Sequence, residues 1–401
     1  MTQQASPFDL AGPGGFLTAH DDRVSALTLR FRYGERSFAT VVAKVVLRLI
    51  EGSPAILLPP EPILTADEHY DSAPLRSVRR ASEIAPRLLA TDVILTGSAF
   101  QPFGNPGTTR VVGLGIHRGG ASILYKTLYV YGDRTVSEPD RVRPFSSMPL
   151  VWERAFGGVG VEANPVGLDP SAAGASGLPN VIDPRGATIP GGYGPIGRYW
   201  PLRSRLAGQT PRRQLDGLDL EIPEGFPFAF FHASPPDQRA PFLAGDEWLV
   251  LDGMHPLAAR IQSRLPGVRA VTRVHLPGGA LAPVQMMLDM VVIDTDRASC
   301  SLVFRGMTDA AAPGAVFAVA LDVPQSPLVW PEPQAATLTA TGSIPVTSTS
   351  AAHPYQDAPS STPATLTSAI TQHAAAAPNS NVAIVAPRKC SITPCSGAVL
   401  N

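Results

Sequence analysis

Apolar and polar residues alternate along two neighbouring segments near the start of the chain. In residues 27–33 every second side chain is apolar, and residues 38–50 carry one apolar face with Thr40 and Lys44 on the other. A period of two predicts a β-strand, because successive side chains of a strand point to opposite faces. The turn-like segment around Gly34 joins the two strands, so we predict an antiparallel hairpin.

Eight further segments have the β-branched or alternating composition of strands, and Gly and Pro separate most of them. They are residues 92–99, 110–117, 121–131, 247–252, 269–275, 284–294, 300–305 and 315–322. The chain has 42 Pro and 36 Gly, which interior helix positions tolerate poorly. We therefore predict a mainly β fold: an antiparallel sandwich or barrel-like body with a long loop-rich insert, few short helices and a flexible C-terminal tail.

One short helix is predicted over residues 149–156. Ser146 or Ser147 can cap it, Pro149 suits its first turn, and two glycines follow it. Trp152 and Phe156 would then share one apolar face, since residues four apart are neighbours on a helix. Glu153 and Arg154 would face elsewhere and tie neighbouring loops.

Residues 148–256 form the insert, and residues 157–247 within it show little periodicity. This stretch is rich in Pro and Gly, yet it also carries many aromatic side chains, which disordered segments rarely do. They are Tyr193, Tyr199, Trp200, Phe226, Phe228, Phe230, Phe231 and Phe242. We predict an ordered loop region packed by these aromatics.

Composition divides the chain into three parts. Residues 1–20 are predicted to be a flexible N-terminus, and residues 21–330 the mainly β body. Residues 331–401 hold a single aromatic, Tyr355, and are rich in Ala, Thr, Ser and Pro, which predicts a flexible tail.

Charge and cysteine content narrow the class of protein. Charged residues make up only 16% of the chain and the formal net charge is -1, so no electrostatic footprint for nucleic acid or an anionic membrane is present. No apolar run is long enough for a membrane span, and no secretory signal is recognisable. Three cysteines fit a reducing compartment, and we expect a cytoplasmic protein.

The histidines and carboxylates suggest no catalytic constellation. His69 lies in an acidic run, ADEHYD, without the second His or Cys of a zinc site. His232 lies near Asp237, but no Ser or Cys stands in a nucleophile elbow. We read both histidines as structural.

Two further residue spacings, one of glycines and one of cysteines, do not indicate a cofactor or metal site. Gly113 and Gly115 fall within a strand pattern and not at a strand-to-helix turn, so they make no dinucleotide fingerprint. Cys390 and Cys395 lack a second ligand pair, and Cys300 alternates into a strand as a small apolar residue. We therefore predict no catalytic residue, no cofactor and no metal.

The insert contains an ordered series of motifs that resembles the DUF2169 family, bacterial proteins encoded beside type VI secretion effectors. The motifs are MPLVWERAFGG (148–158), ANPVG (163–167), GLPNVIDP (177–184), GGYGPIGRYWPLR (191–203), SPPDQ (234–238) and LAGDEWLVLDGMHP (243–256). Upstream, residues 39–49, 85–102 and 128–134 resemble the same family. The resemblance covers roughly residues 20–310.

The resemblance implies a non-enzymatic adaptor or chaperone of the type VI secretion system. Such a protein would bind a cognate effector in the cytoplasm and help load it onto the VgrG–PAAR spike. This chain departs from the family where Thr135 and Val136 follow Arg134 in place of an early Trp. It also has His232 where the family often has Asn, which argues against proton transfer by this residue.

The resemblance also yields a set of motif residues that either shape the insert or contact the partner. They are Trp152, Arg154, Phe156, Asn164, Pro165, Asn180, Pro195, Trp200, Pro235, Pro236, Asp237 and Gln238. Asn164 and Asn180 are turn formers, and Pro235–Pro236 is a rigid extended piece. Asp237 and Gln238 are expected to hold nearby backbone amides.

Two other functions stay open at the level of the sequence. A β-rich hydrolase would need two carboxylates in one cleft, and the candidates are Asp133, Glu153, Asp237 and Asp246. A structural component of a phage-like spike or baseplate would instead form a symmetric homo-oligomer.

Overall fold

The computed structural model describes residues 17–276, 279–309 and 315–331. Nearly all of the predicted flexible N-terminus and C-terminal tail lies outside these residues, and so do Cys390 and Cys395. The described chain is built mainly from strands, as predicted.

Twenty-one strands are present in these ranges. They are β1 (Leu17–His20), β2 (Ser25–Tyr33), β3 (Arg36–Arg48), β4 (Ile56–Leu57), β5 (Glu68–His69), β6 (Val78–Arg80), β7 (Thr91–Thr96), β8 (Ser98–Phe100), β9 (Thr109–Arg118), β10 (Ala121–Tyr131), β11 (Ser147–Pro149), β12 (Val181–Ile182), β13 (Asp219–Ile222), β14 (Arg239–Ala240), β15 (Trp248–Asp252), β16 (Arg260–Arg264), β17 (Arg269–His275), β18 (Leu281–Val284), β19 (Met287–Asp294), β20 (Ser299–Asp309) and β21 (Val316–Asp322).

Helical structure is short wherever the chain is described. The two α-helices are α1 (Pro201–Ala207) and α2 (Arg212–Leu215). Single 3-10 turns occur at Tyr70–Ser72, Pro102–Gly104, Trp152–Arg154, Phe228–Phe231 and Pro236–Gln238.

The strands form one large sheet, two smaller sheets and two small ladders. The central sheet has eight strands in the order β13-β2-β3-β20-β19-β7-β14, with β4 attached to β3. The five-stranded sheet has the order β12-β10-β9-β15-β16, and the four-stranded sheet has the order β1-β21-β17-β18. Most pairs are antiparallel, but β1–β21, β13–β2 and β19–β7 are parallel, so the sheets are mixed.

The predicted hairpin is confirmed. Tyr33 pairs with Arg36 across a two-residue turn in which Gly34 has φ +58°, a conformation that favours glycine. Thr40 and Lys44 are almost completely buried, at 0% and 1% exposure. They lie on the face opposite Val41 and Val45, as predicted, and other parts of the chain cover that face.

One face of the central sheet packs against the two smaller sheets. Its apolar residues on β3 alternate with Thr40 and Lys44 and meet inward side chains of the five-stranded and four-stranded sheets. This core includes Val41, Val45, Leu47, Leu114, Ile116, Leu128, Leu249, Phe317 and Val319. Because strands cover strands, this half of the body is the predicted sandwich.

The other face of the central sheet is covered by the aromatic part of the insert. Leu29, Phe31, Val42, Ile94, Leu220 and Val303 of the sheet pack against Leu215, Phe226, Phe228, Phe230 and Phe231. The Phe230 and Phe231 rings meet edge to face at 5.2 Å between centroids. Six of the eight aromatics in residues 157–247 are buried, whereas Tyr199 is half-buried and Phe242 is exposed. The prediction of a packed insert is thus confirmed.

The predicted helix over residues 149–156 is wrong. β11 ends at Pro149, and only a 3-10 turn, Trp152–Arg154, follows it. The Trp152 ring lies against Gly192, where an added Cβ would be 2.8 Å from the ring. Trp152 Nε1 also donates a hydrogen bond to the Pro195 carbonyl at 3.1 Å. Gly192 and Pro195 lie some forty residues further along the chain. Their contacts with Trp152, and not the capping pattern, determine the local conformation.

Candidate binding site in the insert

Buried motif residues fix the shape of the insert from within. The buried Asn164 side chain donates to the Trp152 carbonyl at 2.8 Å and to the Phe156 carbonyl at 3.0 Å. Trp152 meets Trp200 edge to face at 6.0 Å between ring centroids. The WERAF segment is therefore clamped between the ANPVG turn and the RYW segment, which are separate in sequence.

A buried lysine joins the SPPDQ segment to the five-stranded sheet. Lys126 Nζ donates to Asp237 Oδ1 and Gln238 Oε1, both at 2.8 Å, and to the Gly192 carbonyl at 2.7 Å. The Gln238 amide donates in turn to the carbonyls of Val93 and Tyr193. Burial lowers the pKa of Lys126, and Asp237 opposes that effect. The two residues thus hold a side-chain ammonium, and not the backbone amides that we expected.

His232 is paired with Asp92 and not with its sequence neighbour Asp237. His232 Nδ1 lies 2.7 Å from Asp92 Oδ1, and Nε2 accepts the Leu89 backbone N–H at 3.3 Å. The neutral ring with its proton on Nδ1 satisfies both contacts. Asp92 also accepts from Ser234 Oγ and the Ala233 N–H. Burial raises the pKa of Asp92, but these hydrogen bonds outweigh it and leave the pKa below its ordinary value.

A polar cleft of about 500 Å³ opens where several motifs meet. Arg154 Nη1 donates to Asn180 Oδ1 at 2.9 Å and lies 3.5 Å from Asp133 Oδ1. Asn180 Nδ2 donates to the same Asp133 oxygen at 3.1 Å. On the other wall Glu153 accepts from Arg76 Nε at 2.8 Å. The expectation that Glu153 and Arg154 tie neighbouring loops is therefore confirmed.

An apolar pocket of about 340 Å³ adjoins the polar cleft. Phe156, Pro179 and Ile182 line the pocket, and Arg134 and Leu178 line both spaces. We call the two together the insert cleft.

The charges in the insert cleft are held in place by neighbouring groups. Burial raises the pKa of Glu153, but hydrogen bonds from Ser77 and Arg76 outweigh it and hold the pKa below its ordinary value. The Arg134 guanidinium stacks over the Tyr131 ring at 4.5 Å and donates to the Pro179 carbonyl at 2.6 Å. Glu153 is therefore ionised near neutral pH, and Arg134 is fixed in orientation.

The twelve predicted motif residues divide by exposure. The buried ones are Trp152, Asn164, Asn180, Pro195, Trp200, Pro235 and Gln238. The half-buried or exposed ones are Arg154, Phe156, Pro165, Pro236 and Asp237. Arg154, Phe156 and Asn180 meet at the insert cleft, whereas Pro236 and Asp237 lie beside Lys126 outside it.

The carboxylates considered for a hydrolase are each close to a cation. Asp133 lies 3.5 Å from Arg154, and Asp237 lies 2.8 Å from Lys126. Asp246 lies 3.5 Å from Arg118, while Glu153 holds Arg76. Asp133 and Glu153 do line one cleft, but both are engaged in ion pairs.

The acidic run around His69 is divided among separate contacts. Asp67 accepts the Ser82 N–H, Glu68 pairs with Arg80, and His69 Nδ1 contacts the Arg76 carbonyl. Within residues 17–276, 279–309 and 315–331, no group of three His, Cys, Asp or Glu is arranged to hold a metal ion. Cys300 is buried as predicted, and burial raises the pKa of its thiol to about 12.

Several organising residues escaped the sequence analysis. Asp92, Glu83 and Lys126 each hold partners far away in sequence, and only Lys126 gave a usable signal. It alternates with Leu124 and Leu128 in β10, so its side chain had to point into the core. Asp92 and Glu83 lie in segments where no periodicity fixes a direction.

The fold and the insert cleft define a mainly β protein with a shaped loop surface. The chain belongs to the family described as uncharacterized protein conserved in bacteria (DUF2169), whose model matches residues 34–305. No curated protein and no solved structure matches the chain. In the part of the chain that is described, helices are too short or too polar to cross a membrane.

Proposed function

We propose that this protein is a non-enzymatic adaptor or chaperone of the type VI secretion system. It binds a cognate effector in the cytoplasm and helps load it onto the VgrG–PAAR spike. The family membership and the order of the insert motifs support this role. The observation that carries it is the meeting of Arg154, Phe156 and Asn180 at one surface cleft.

The chemistry of the insert cleft suits recognition of a protein. A rim of Asp133, Arg134 and Arg154 stands beside the apolar wall formed by Phe156 and Leu178. Protein interfaces combine an apolar centre with polar groups that fix register. The engaged carboxylates favour this role over hydrolysis, because a general acid needs a proton that an ion-paired carboxylate does not hold.

Co-expression with the products of the neighbouring effector and spike genes tests the proposal. We expect the full chain to co-purify with a tagged effector. Arg154→Ala, which removes a rim charge, and Thr188→Arg, which fills the apolar pocket, should each weaken the complex about tenfold or more. Thr188 is exposed, so this variant should fold normally.

Arg36→Glu is the matched control, because Arg36 is 71% exposed and lies outside the insert cleft. It should leave the complex unchanged. Recovery of the chain alone, with the effector and the spike protein both present, would refute the proposed function. A complex that tolerates both cleft variants would refute the cleft as its contact surface.

A further inference from the structure

A large surface groove lies on the four-stranded sheet, away from the insert cleft. Its volume is about 1150 Å³, above the usual range of about 300–1,000 Å³ for small-molecule pockets. It runs along β17 and β18 and is bounded by the segment that follows β21. Leu281 and Leu328 line it and are 54% and 42% exposed. Exposed apolar side chains along a groove of this size indicate a binding surface.

One positive charge in this groove is uncompensated. Arg269 pairs with Asp322 at 3.0 Å, and Arg264 lies 3.8 Å from Asp246. Arg273 instead stacks on the Trp330 ring at 4.2 Å, and its buried Nε has no hydrogen-bond partner. Among the described residues, no carboxylate pairs with Arg273. The groove therefore offers an oriented guanidinium beside apolar surface, which suits a carboxylate attached to apolar groups.

The edge of the sheet constrains how a ligand can bind there. β18 is an edge strand, and an open edge can accept an added strand from another chain. Pro283 lies in the middle of β18 and has no N–H, so it interrupts any such ladder. Recognition must depend on side chains, and within the described chain the exposed Gln285 amide contacts the Met287 sulfur alone, at 3.8 Å. That amide is available to bond a peptide backbone.

We propose that this groove binds a segment of a partner polypeptide that carries Asp or Glu next to apolar side chains. Arg273 receives the carboxylate, Trp330 and Leu281 contact the apolar side chains, and Gln285 bonds the backbone. Met286 and Met287, whose flexible side chains also line the groove, adapt to different apolar residues. The groove shares no lining residue with the insert cleft, so the inference does not depend on the proposed adaptor role.

A displayed library of random dodecapeptides, selected on the full chain, tests this inference. Enriched peptides should carry an acidic residue beside two or more apolar ones. In fluorescence anisotropy, Arg273→Gln should weaken binding of an enriched peptide about tenfold, the size expected for one charge-assisted hydrogen bond. Replacing the acidic residue of the peptide by its amide should weaken binding to the native chain by the same factor. The same replacement should have almost no further effect on binding to the Arg273→Gln variant.

Arg269→Gln is the matched control, because Arg269 lines the same groove but already has a carboxylate partner. It should change affinity by less than about threefold. Equal losses from Arg273→Gln and Arg269→Gln, no enrichment of acidic and apolar peptides, or binding of dodecanoate without any peptide would each overturn the inference. Loss of the effector complex in the cleft variants leaves these measurements unaffected, so the two proposals fail independently.

Discussion

One face of the eight-stranded sheet packs against other strands, and the opposite face packs against a segment with little regular structure. The first face is apolar, with Val41, Val45 and Leu47 fully buried. The second face combines aromatic rings with buried charged pairs, among them Lys44 with Glu83 at 2.8 Å. The first face is dominated by hydrophobic packing, whereas the second face is also fixed by directional polar contacts.

Arg305 shows how far these polar contacts extend on the second face. Its guanidinium contacts the Asp289 carboxylate and the Glu83 carbonyl, and both side chains of the pair are 3% exposed. Arg203 of α1 donates to the carbonyls of Ile196 and Phe230 in the same layer. Charges on this face therefore hold backbone carbonyls of the covering segments as well as neutralise one another.

The largest effect should come from removing one partner of a buried pair on the second face. Lys44→Met leaves the Glu83 carboxylate buried without its cation, so the free energy of unfolding should fall by about 3–5 kcal/mol. Urea unfolding measures this change. Adding Glu83→Gln should restore part of the loss, because the unpaired charge is removed while an acceptor for the Leu64 N–H remains.

The exposed pair of Arg36 and Asp309 is the control for the buried one, with side chains 71% and 78% exposed. Arg36→Met should cost less than about 1 kcal/mol. Similar losses for Lys44→Met and Arg36→Met would show that burial does not distinguish the two pairs.

Truncation of one large buried side chain on each face should have local effects that are confined to that face. Phe230→Ala should cost about 3–5 kcal/mol and Leu47→Ala about 2–5 kcal/mol, because both side chains are fully buried. Hydrogen exchange should increase for Phe230→Ala mainly in residues 226–238, and for Leu47→Ala in β3 and its neighbours. The same exchange pattern for both variants would contradict independent packing of the two faces.

Titration of Asp289, on the second face, should make the free energy of unfolding depend on pH. Burial raises the pKa of this carboxyl to about 7 from 3.8, although Arg305 opposes the shift. Between these two pKa values the folded state binds a proton that the unfolded state releases. The contribution of Asp289 to the free energy of unfolding is therefore complete below pH 3.8 and is lost as the pH rises to about 7. The slope is about 1.4 kcal/mol per pH unit at most.

Asp289→Asn should remove this slope from a series of unfolding measurements between pH 4.5 and about 8, whatever its effect on absolute stability. An unchanged slope in the variant would assign the pH dependence to other groups.

The smallest effect concerns the junction of the insert with the five-stranded sheet. Tyr193 is fully buried, and its hydroxyl lies 3.0 Å from the Val112 carbonyl and 3.1 Å from the Lys126 carbonyl. Tyr193→Phe should lower the free energy of unfolding by about 1–2 kcal/mol, because a buried carbonyl loses its donor. Tyr125→Phe, at a ring 55% exposed, should stay within about 0.5 kcal/mol in the same urea titration. Equal values for the two variants would argue against that bond.

Sequence periodicity predicted the positions of the strands well where apolar and polar residues alternate regularly. β17 was predicted over residues 269–275 and occupies those residues, and β10 likewise matches 121–131. The pattern placed Lys44 correctly on the face opposite Val41 and Val45, but period-two alternation does not report what covers that face. Its partner Glu83 and the covering aromatics lie in other segments.

The sequence predicted which residues belong to the candidate site but not what each of them contacts. The motifs named Arg154 and Asn180, but a linear pattern does not show that both reach Asp133. His232 pairs with Asp92, but the sequence analysis considered Asp237 because it is near in sequence and Asp92 is 140 residues away. Local signals such as the Ser and Pro before Trp152 predicted a helix that packing against Gly192 overrides.

The position of β3 in the central sheet also sets the order in which the chain can assemble. β3 ends at Arg48, yet one of its two long neighbours, β20, begins only at Ser299. At ribosomal rates of about 5–20 residues per second, that neighbour emerges on the order of tens of seconds later. During synthesis a strand with ten residues that become buried is therefore an open apolar edge, and this high contact order makes the nascent chain prone to aggregation.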